Sequence, residues 1–233
     1  MGNIIDNPRL REQRFVFSDR HEAGKQLGAF LASLPKSLDP VVLAIPAGGV
    51  PVGKEVALVL GVPFIPAIVR KIQIPGNTEA GFGAVTWDGH VLINEQLRTA
   101  LGLSQAKVDA AINMTRKNVL TRIARFTCGK PFPELAGKTA ILIDDGIASG
   151  FTMLALIKSV RTRNPARIIV AVPTASASSA ERIAQEVEQV VCLNIRSSQI
   201  FAVADAYAHW YDLDDQEVLA ELADTPYHHD AGR

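Results

Sequence analysis

The stretch Ile141-Leu142-Ile143-Asp144-Asp145-Gly146-Ile147-Ala148-Ser149-Gly150-Phe151-Thr152-Met153 decides how this chain is read. Ala140 to Ile143 is a short apolar run of the kind that forms a strand buried on both faces. Two carboxylates follow, then a turn of small residues with glycines at 146 and 150 and hydroxyls at Ser149 and Thr152. From Thr152 to Arg163 the spacing of Leu154, Ile157 and Val160 predicts a helix with one inward face. A strand that exits through acids and glycines into a helix is half of a parallel βα unit.

Working outward, the pattern repeats: Arg167 to Val172 reads as a strand, Ser178 to Val187 as a helix and Val190 to Leu193 as a strand. Upstream, Ser18 is placed to cap a helix with Ala23, Leu27, Phe30, Leu31 and Leu34 on one face, ending at Pro35. Val41 to Ile45 is a strand that runs into Pro46-Ala47-Gly48-Gly49, with Pro51 expected to open a helix and Gly61 to stop it. Val62 to Val69 reads as another strand, irregular at Pro63 and Pro66, and Arg70-Lys71 leads into a loop through Pro75-Gly76-Asn77. Asp88-Gly89 between Phe82 to Thr86 and Val91 to Asn94 predicts a β-hairpin. Ser104 should cap a long helix, Leu103 stapled to Val108, with Ala111, Ile112, Val119, Ile123 and Phe126 inward and its Lys and Arg residues as a solvated face. Alternation of this kind predicts an α/β fold: an open, mainly parallel sheet with helices on both faces and a β-hairpin insertion.

No repeat or flexible linker interrupts residues 1–233, so a single domain is expected, with a polar arm over 1–14. Residues 198–223, with Phe201, Tyr207, Trp210 and Tyr211, break the alternation and are expected to form a small C-terminal cap, followed by a flexible tail over 224–233. At 233 residues and 25.1 kDa the chain can bury a full core without staples. Its two cysteines, Cys128 and Cys192, lack metal-ligand spacing and read as buried small hydrophobes in a reducing compartment. No apolar run reaches membrane-spanning length and Met1 to Arg14 is no secretory signal, so the cytoplasm is the default. Lys plus Arg equals Asp plus Glu at 24 each, which argues against nucleic acid or an anionic membrane as partner. Any anion site must be local.

Open parallel sheets bind ligands beyond the carboxyl ends of their strands. Both glycine turns of this chain are predicted there, and the later one suits a ribose phosphate. Glycines let backbone N–H groups close round a phosphate, the helix N-terminus adds donors and positive dipole, and Ser149 and Thr152 offer hydroxyls. Asp144 and Asp145 can accept hydrogen bonds from vicinal sugar hydroxyls. Neighbours in a regular strand face opposite ways, so both engage only if the backbone leaves strand geometry; otherwise one aspartate orders the loop.

This stretch resembles the phosphoribosyl pyrophosphate signature of the type I phosphoribosyltransferase family, whose paired acids and small-residue loop it matches nearly throughout. The resemblance implies that Asp144 and Asp145 contact ribose, that Gly146 and Ala148, Ser149, Gly150, Phe151 and Thr152 hold the 5-phosphate, and that Mg2+ rides with the pyrophosphate. More narrowly, Phe17-Ser18-Asp19-Arg20, Ala23-Gly24, Pro46 to Val52, Val69-Arg70-Lys71, Pro75-Gly76-Asn77 and Gly83-Ala84-Val85 are similar to a bacterial and archaeal group of that family with unassigned substrate. By that resemblance Ala47, Gly48 and Gly49 form the pyrophosphate loop, and Arg70 and Lys71, as catalytic residues beside Asp144 and Asp145, begin a mobile loop over the reacting centre. The group usually carries a basic residue where Ala47 stands, and losing a charge-assisted contact costs about 1.5 to 3 kcal/mol. The implied reaction is transfer of phosphoribose to a nitrogen acceptor, usually a nucleobase, with release of pyrophosphate, and similar proteins often form homodimers. The same fold also serves regulators, so a non-catalytic sensor of phosphoribosyl pyrophosphate is the alternative.

Two rival readings fall away or stay bland. Gly48 to Lys54 imitates a Walker A loop, but Glu55 replaces the metal-binding hydroxyl and Pro51 removes a donor. Tyr207, Trp210 and Tyr211 could stack a planar acceptor, although core packing is the commoner role of such a cluster, and His209, His228 and His229 receive no role.

Overall fold

The computed structural model describes residues 2–35, 37–198, 200–223 and 225, with the backbone alone for 77–79. The tail over 224–233 lies outside the described residues apart from Thr225, as do His228 and His229. Six strands, β1 (Asn3–Asp6), β2 (Pro40–Ala44), β3 (Phe64–Pro66), β7 (Thr139–Ile143), β8 (Arg167–Ser176) and β9 (Gln189–Arg196), form a parallel sheet in the order β1-β9-β8-β7-β2-β3. A separate antiparallel sheet joins β4 (Val69–Ile74), β5 (Asn77–Thr86) and β6 (Val91–Ile93). The helices are α1 (Arg20–Ala32), α2 (Gly49–Leu60), α3 (Glu95–Ala100), α4 (Gln105–Phe126), α5 (Phe151–Arg161), α6 (Ala177–Ala184) and α7 (Asp215–Ala223).

The period-two alternation of strands divides the core. In β7, Ile141 and Ile143 face a layer holding Leu27, Val52 and Val56 of α1 and α2, while Ala140 and Leu142 face Leu156, Ile157 and Ile183 of α5 and α6. Every residue of β7 is buried, which is why it reads as an unbroken apolar run. The α/β sheet with helices on both faces and a hairpin insertion is therefore the observed architecture.

Several local expectations change. The segment read as a polar arm contains β1, which pairs Asn3 to Asp6 with Gln189 to Cys192 at the sheet edge. Asp19, not Ser18, caps α1: its side chain accepts from the Glu22 N–H at 2.8 Å, and Ser18 N–H donates to the Glu22 carboxylate at 2.5 Å. The strand expected over 62–69 shrinks to Phe64–Pro66, because Pro66 brings no donor and the chain crosses to the hairpin sheet at Val69. Arg70 and Lys71 consequently lie on a strand rather than at the start of a loop. α2 begins at Gly49, so Pro51 is its third residue. Cys128 is exposed, at a positive φ of 51°, and only Cys192 is buried. No helix among the described residues is long and apolar enough to cross a membrane.

α1 and α2 approach closely at Gly24, where a Cβ would stand 2.7 Å from the Val52 carbonyl and 2.8 Å from the Glu55 Cβ. Gly24→Ala should therefore destabilise the fold by about 1 to 3 kcal/mol, read as a lowered urea midpoint. Alanine is intrinsically the better helix former by ~0.5–1 kcal/mol, so a net loss reports packing, and a gain would show that the helices part freely.

Candidate functional site

β2 and β7 are neighbours inside the sheet, and the chain leaves them in opposite directions, β2 toward β3 and β7 toward β8. A crevice opens beyond their carboxyl ends at such a switch point. The turns 46–49 and 144–150 both enter it. Regular strand ends at Ile143, so Asp144 and Asp145 are released from alternate-face geometry. Asp145 N–H donates to Asp144 Oδ1 at 2.9 Å, which ties the turn together, while Asp145 Oδ2 accepts from Arg20 Nε at 2.9 Å.

The glycine turn of β2 lies directly on these acids. A Cβ on Gly48 would stand 1.8 Å from Asp145 Oδ2, and one on Gly49 would stand 3.0 Å from Asp144 Cα. Any side chain at 48 would displace the carboxylate. The Pro46–Ala47 peptide is cis, and Ala47 is partly buried beside the pair. Gly49 N–H donates to the Ile45 carbonyl at 3.0 Å.

Arg20 is fixed on three sides. Besides Asp145 it donates from Nη1 to the Tyr211 carbonyl at 2.9 Å, and its guanidinium lies 3.9 Å from the centre of the Trp210 ring. Tyr207, fully buried, donates its hydroxyl to the Asp145 carbonyl at 2.5 Å. Burial, with the Asp145 charge next, pushes that phenol well above its ordinary range, so it stays a donor. Burial and then the neighbouring Asp145 push Asp144 well above the usual carboxylate range; Asp145 is raised by burial against the opposing pull of Arg20.

The loop beyond the acids is braced from behind. Ile147 pairs with Ala175, donating to the Thr174 carbonyl and accepting from Ser176 N–H, and Gly146 packs against Val203 and Thr174. The Ala148 carbonyl accepts from the Ser176 hydroxyl at 3.1 Å and the Ser179 hydroxyl at 2.5 Å, and the Ser149 carbonyl accepts from Arg182. Gly150, at φ 72°, caps α5 without a side-chain bond, and no acidic residue occupies the first turn. The N–H groups of Phe151, Thr152 and Met153 thus keep their donor capacity at the positive end of the helix dipole, with Ala148 and Ser149 exposed beside them.

Arg70 and Lys71 lie on β4 of the hairpin sheet. Burial lowers the Arg70 pKa, and Asp215 opposes that effect; Lys71 is exposed, its stem crossing Gly81. Lys54, the Walker-like lysine, pairs with Glu221 at 3.0 Å. Of the aromatics, Tyr207 is core and Tyr211 is 56% exposed, while Trp210 serves as a platform for Arg20. Arg122 also corrects the solvated-face reading of α4, being 14% exposed and 2.6 Å from Asp215.

The raised carboxyls have a stability consequence. In the ordinary aspartate range, near pH 4, the folded state holds more protons than the unfolded one, so ionisation of Asp144 removes stability as pH rises through and beyond that range. Asp144→Asn should then be more stable than the unaltered protein at about pH 7 and lose that advantage near pH 4. Urea titrations at both pH values test this, and a deficit for the variant at neutral pH would show the carboxylate to be stabilising.

The family model for the phosphoribosyl transferase domain matches residues 20–209. The Mycobacterium tuberculosis protein Rv0571c, provisionally described as a phosphoribosyl transferase, is 35% identical over 207 residues, covering 89% of this chain and 46% of the relative. MT0597 of the same species, with the same description, matches equally, so the chain spans about half the length of the curated relatives it matches. The crystal structure of TT1426 from Thermus thermophilus is similar at 33% identity and a TM-score of 0.71, covering 88% of this chain and 97% of that one.

Proposed function

Since the chain belongs to the phosphoribosyl transferase family, we propose that it moves the 5-phosphoribosyl group of phosphoribosyl pyrophosphate to a nitrogen acceptor, a nucleobase, and releases pyrophosphate. The observation that carries this reading is the pair of destabilised aspartates at the β2/β7 switch point, with one glycine turn lying on them and an open helix N-terminus alongside.

In this reading Asp144 and Asp145 accept hydrogen bonds from the ribose hydroxyls, and Arg20 and Tyr207 hold Asp145 in place for it. The N–H groups at the start of α5, with the Ser149 and Thr152 hydroxyls, receive the 5-phosphate. The C1–oxygen bond to diphosphate breaks as the C1–nitrogen bond forms, with positive charge growing on the sugar and negative charge on the leaving group. Gly48 in its turn, with Arg70 and Lys71, supplies donors and charge on the diphosphate side.

Magnesium fits this donor set. Among the described residues no cluster of three or more ligands occurs, so the chain offers one or two carboxylates and the substrate oxygens the remainder, as is usual for this ion. When bound, Mg2+ would neutralise charge gathering on the diphosphate. The chain's own aspartates, raised by burial and offset by Arg20, are groups that a nearby dication would favour in ionised form.

The double variant Asp144→Asn/Asp145→Asn, checked by thermal melt because it also breaks the Arg20 pair, should bind magnesium phosphoribosyl pyrophosphate about 100-fold or more weakly in calorimetry, as loss of two charged acceptors implies. It should also release no pyrophosphate with any nucleobase the unaltered protein accepts. Retained binding in the variant would remove the aspartates from the site and this reading with them.

A further inference from the structure

α4 and α7 bring two guanidinium groups onto one carboxylate, with Arg70 of β4 within electrostatic reach of it. Arg122 Nη2 lies 2.6 Å from Asp215 Oδ1 and Arg125 Nη1 lies 2.8 Å from Asp215 Oδ2, while Arg70 feels the same carboxylate from β4. Positive charge is in excess there, and part of it is withdrawn from water. Arg122 packs over the Phe126 ring at 5.5 Å, and its Nη1, like Asp215 Oδ1, is buried with no hydrogen-bond partner among the described residues. Burial lowers the pKa of Arg70 and of Arg122, and Arg70 and Arg125 press Arg122 further down by like charge. An orphaned guanidinium N–H within a half-buried excess of cations is the arrangement that an oxyanion completes.

Short stretches of chain tie the cluster to the crevice already described. Asp215 follows by four residues the Tyr211 carbonyl that Arg20 holds, which limits their separation to about 14 Å. Arg70 follows by three residues Ala67, whose N–H donates to Ala44 at the carboxyl end of β2. The Asp215 carboxylate is free to leave without unwinding α7, because Asp214 caps that helix through the N–H groups of Gln216 and Glu217, and Glu221 pins it to Lys54 and His21.

We propose that Arg70, Arg122 and Arg125 form a phosphoanion site, whose place Asp215 fills until a diphosphate group displaces it. Diphosphate as the natural occupant rests on the proposed transfer reaction; the anion site itself rests on the arginines and their one shared carboxylate.

The test is calorimetric titration with inorganic pyrophosphate at constant ionic strength, with thermal melts to confirm that each variant folds. Arg125→Gln, which alters the most exposed member, and Arg122→Gln should each weaken binding about tenfold or more. Asp215→Asn should tighten it by a similar factor because the competing carboxylate is gone, whereas an ion pair with a purely structural role predicts no gain. Unchanged affinity in both arginine variants, or unchanged or weaker affinity in Asp215→Asn, would overturn the site. Competition separates two sources of the same chemistry: mutual exclusion of pyrophosphate and phosphoribosyl pyrophosphate identifies the substrate's leaving group, and simultaneous binding identifies a separate phosphate compound. If Asp144→Asn/Asp145→Asn still binds phosphoribosyl pyrophosphate while pyrophosphate binding depends on the arginines, the transfer reading fails and the anion site stands.

Discussion

The contact between Arg20 and Asp145 is the constraint on which the rest of the crevice depends. One guanidinium joins the sheet edge to the Tyr211 carbonyl and the Trp210 ring, so the start of α1, the exit of β7 and the C-terminal segment meet at a single group. Both side chains are largely withdrawn from water, at 8% and 14% exposure. Removing one partner of such a pair strands the other's charge, a loss of about 3 to 5 kcal/mol in comparable buried pairs. Tyr207 adds a second hold through the Asp145 carbonyl, and its own position follows from backbone pairing of residues 205–209 with 15–18.

Around that anchor the chain concentrates features that work against stability. Two aspartates sit side by side against backbone, with burial opposing their ionisation, and a helix begins without a side-chain cap or an acidic first turn. A stability optimum would replace Asp144 and cap the helix; a binding site needs the opposite, since unspent donors and buried charge gain most when a ligand arrives. The surrounding βα scaffold, with every residue of β7 buried, is what tolerates this.

The sheet was legible in the sequence because it obeys local rules. β7, β8 and β9 are apolar runs bounded by turn residues, Gly61 ends α2 in the left-handed conformation at φ 65°, and Asp88-Gly89 turns a hairpin. Elements that depend on distant partners were not legible. β1 is a strand because β9 offers an open edge, and Arg70 lies on a strand because β5 pairs with it. The site divides the same way. Asp144, Asp145 and the 146–152 loop announce themselves by spacing, whereas Arg20 was visible only as part of a resembling motif and Arg122 as one basic residue on a helix. Nothing local to residue 20 discloses that its carboxylate partner is 125 positions away.

That separation shapes when the crevice can exist. The bond from Arg20 to the Tyr211 carbonyl spans 191 positions, and the edge strand of residues 3–6 is completed only by residues 189–192. A chain emerging from the ribosome can assemble β2, β7 and their helices early, but it must leave Arg20 without its second anchor until almost the whole sequence has been made. Closing so long a loop is entropically slow relative to local βα pairing. The setting of the aspartate pair is therefore complete only once residue 211 is in place, so the anchor of the crevice depends on chain made long after the aspartates themselves.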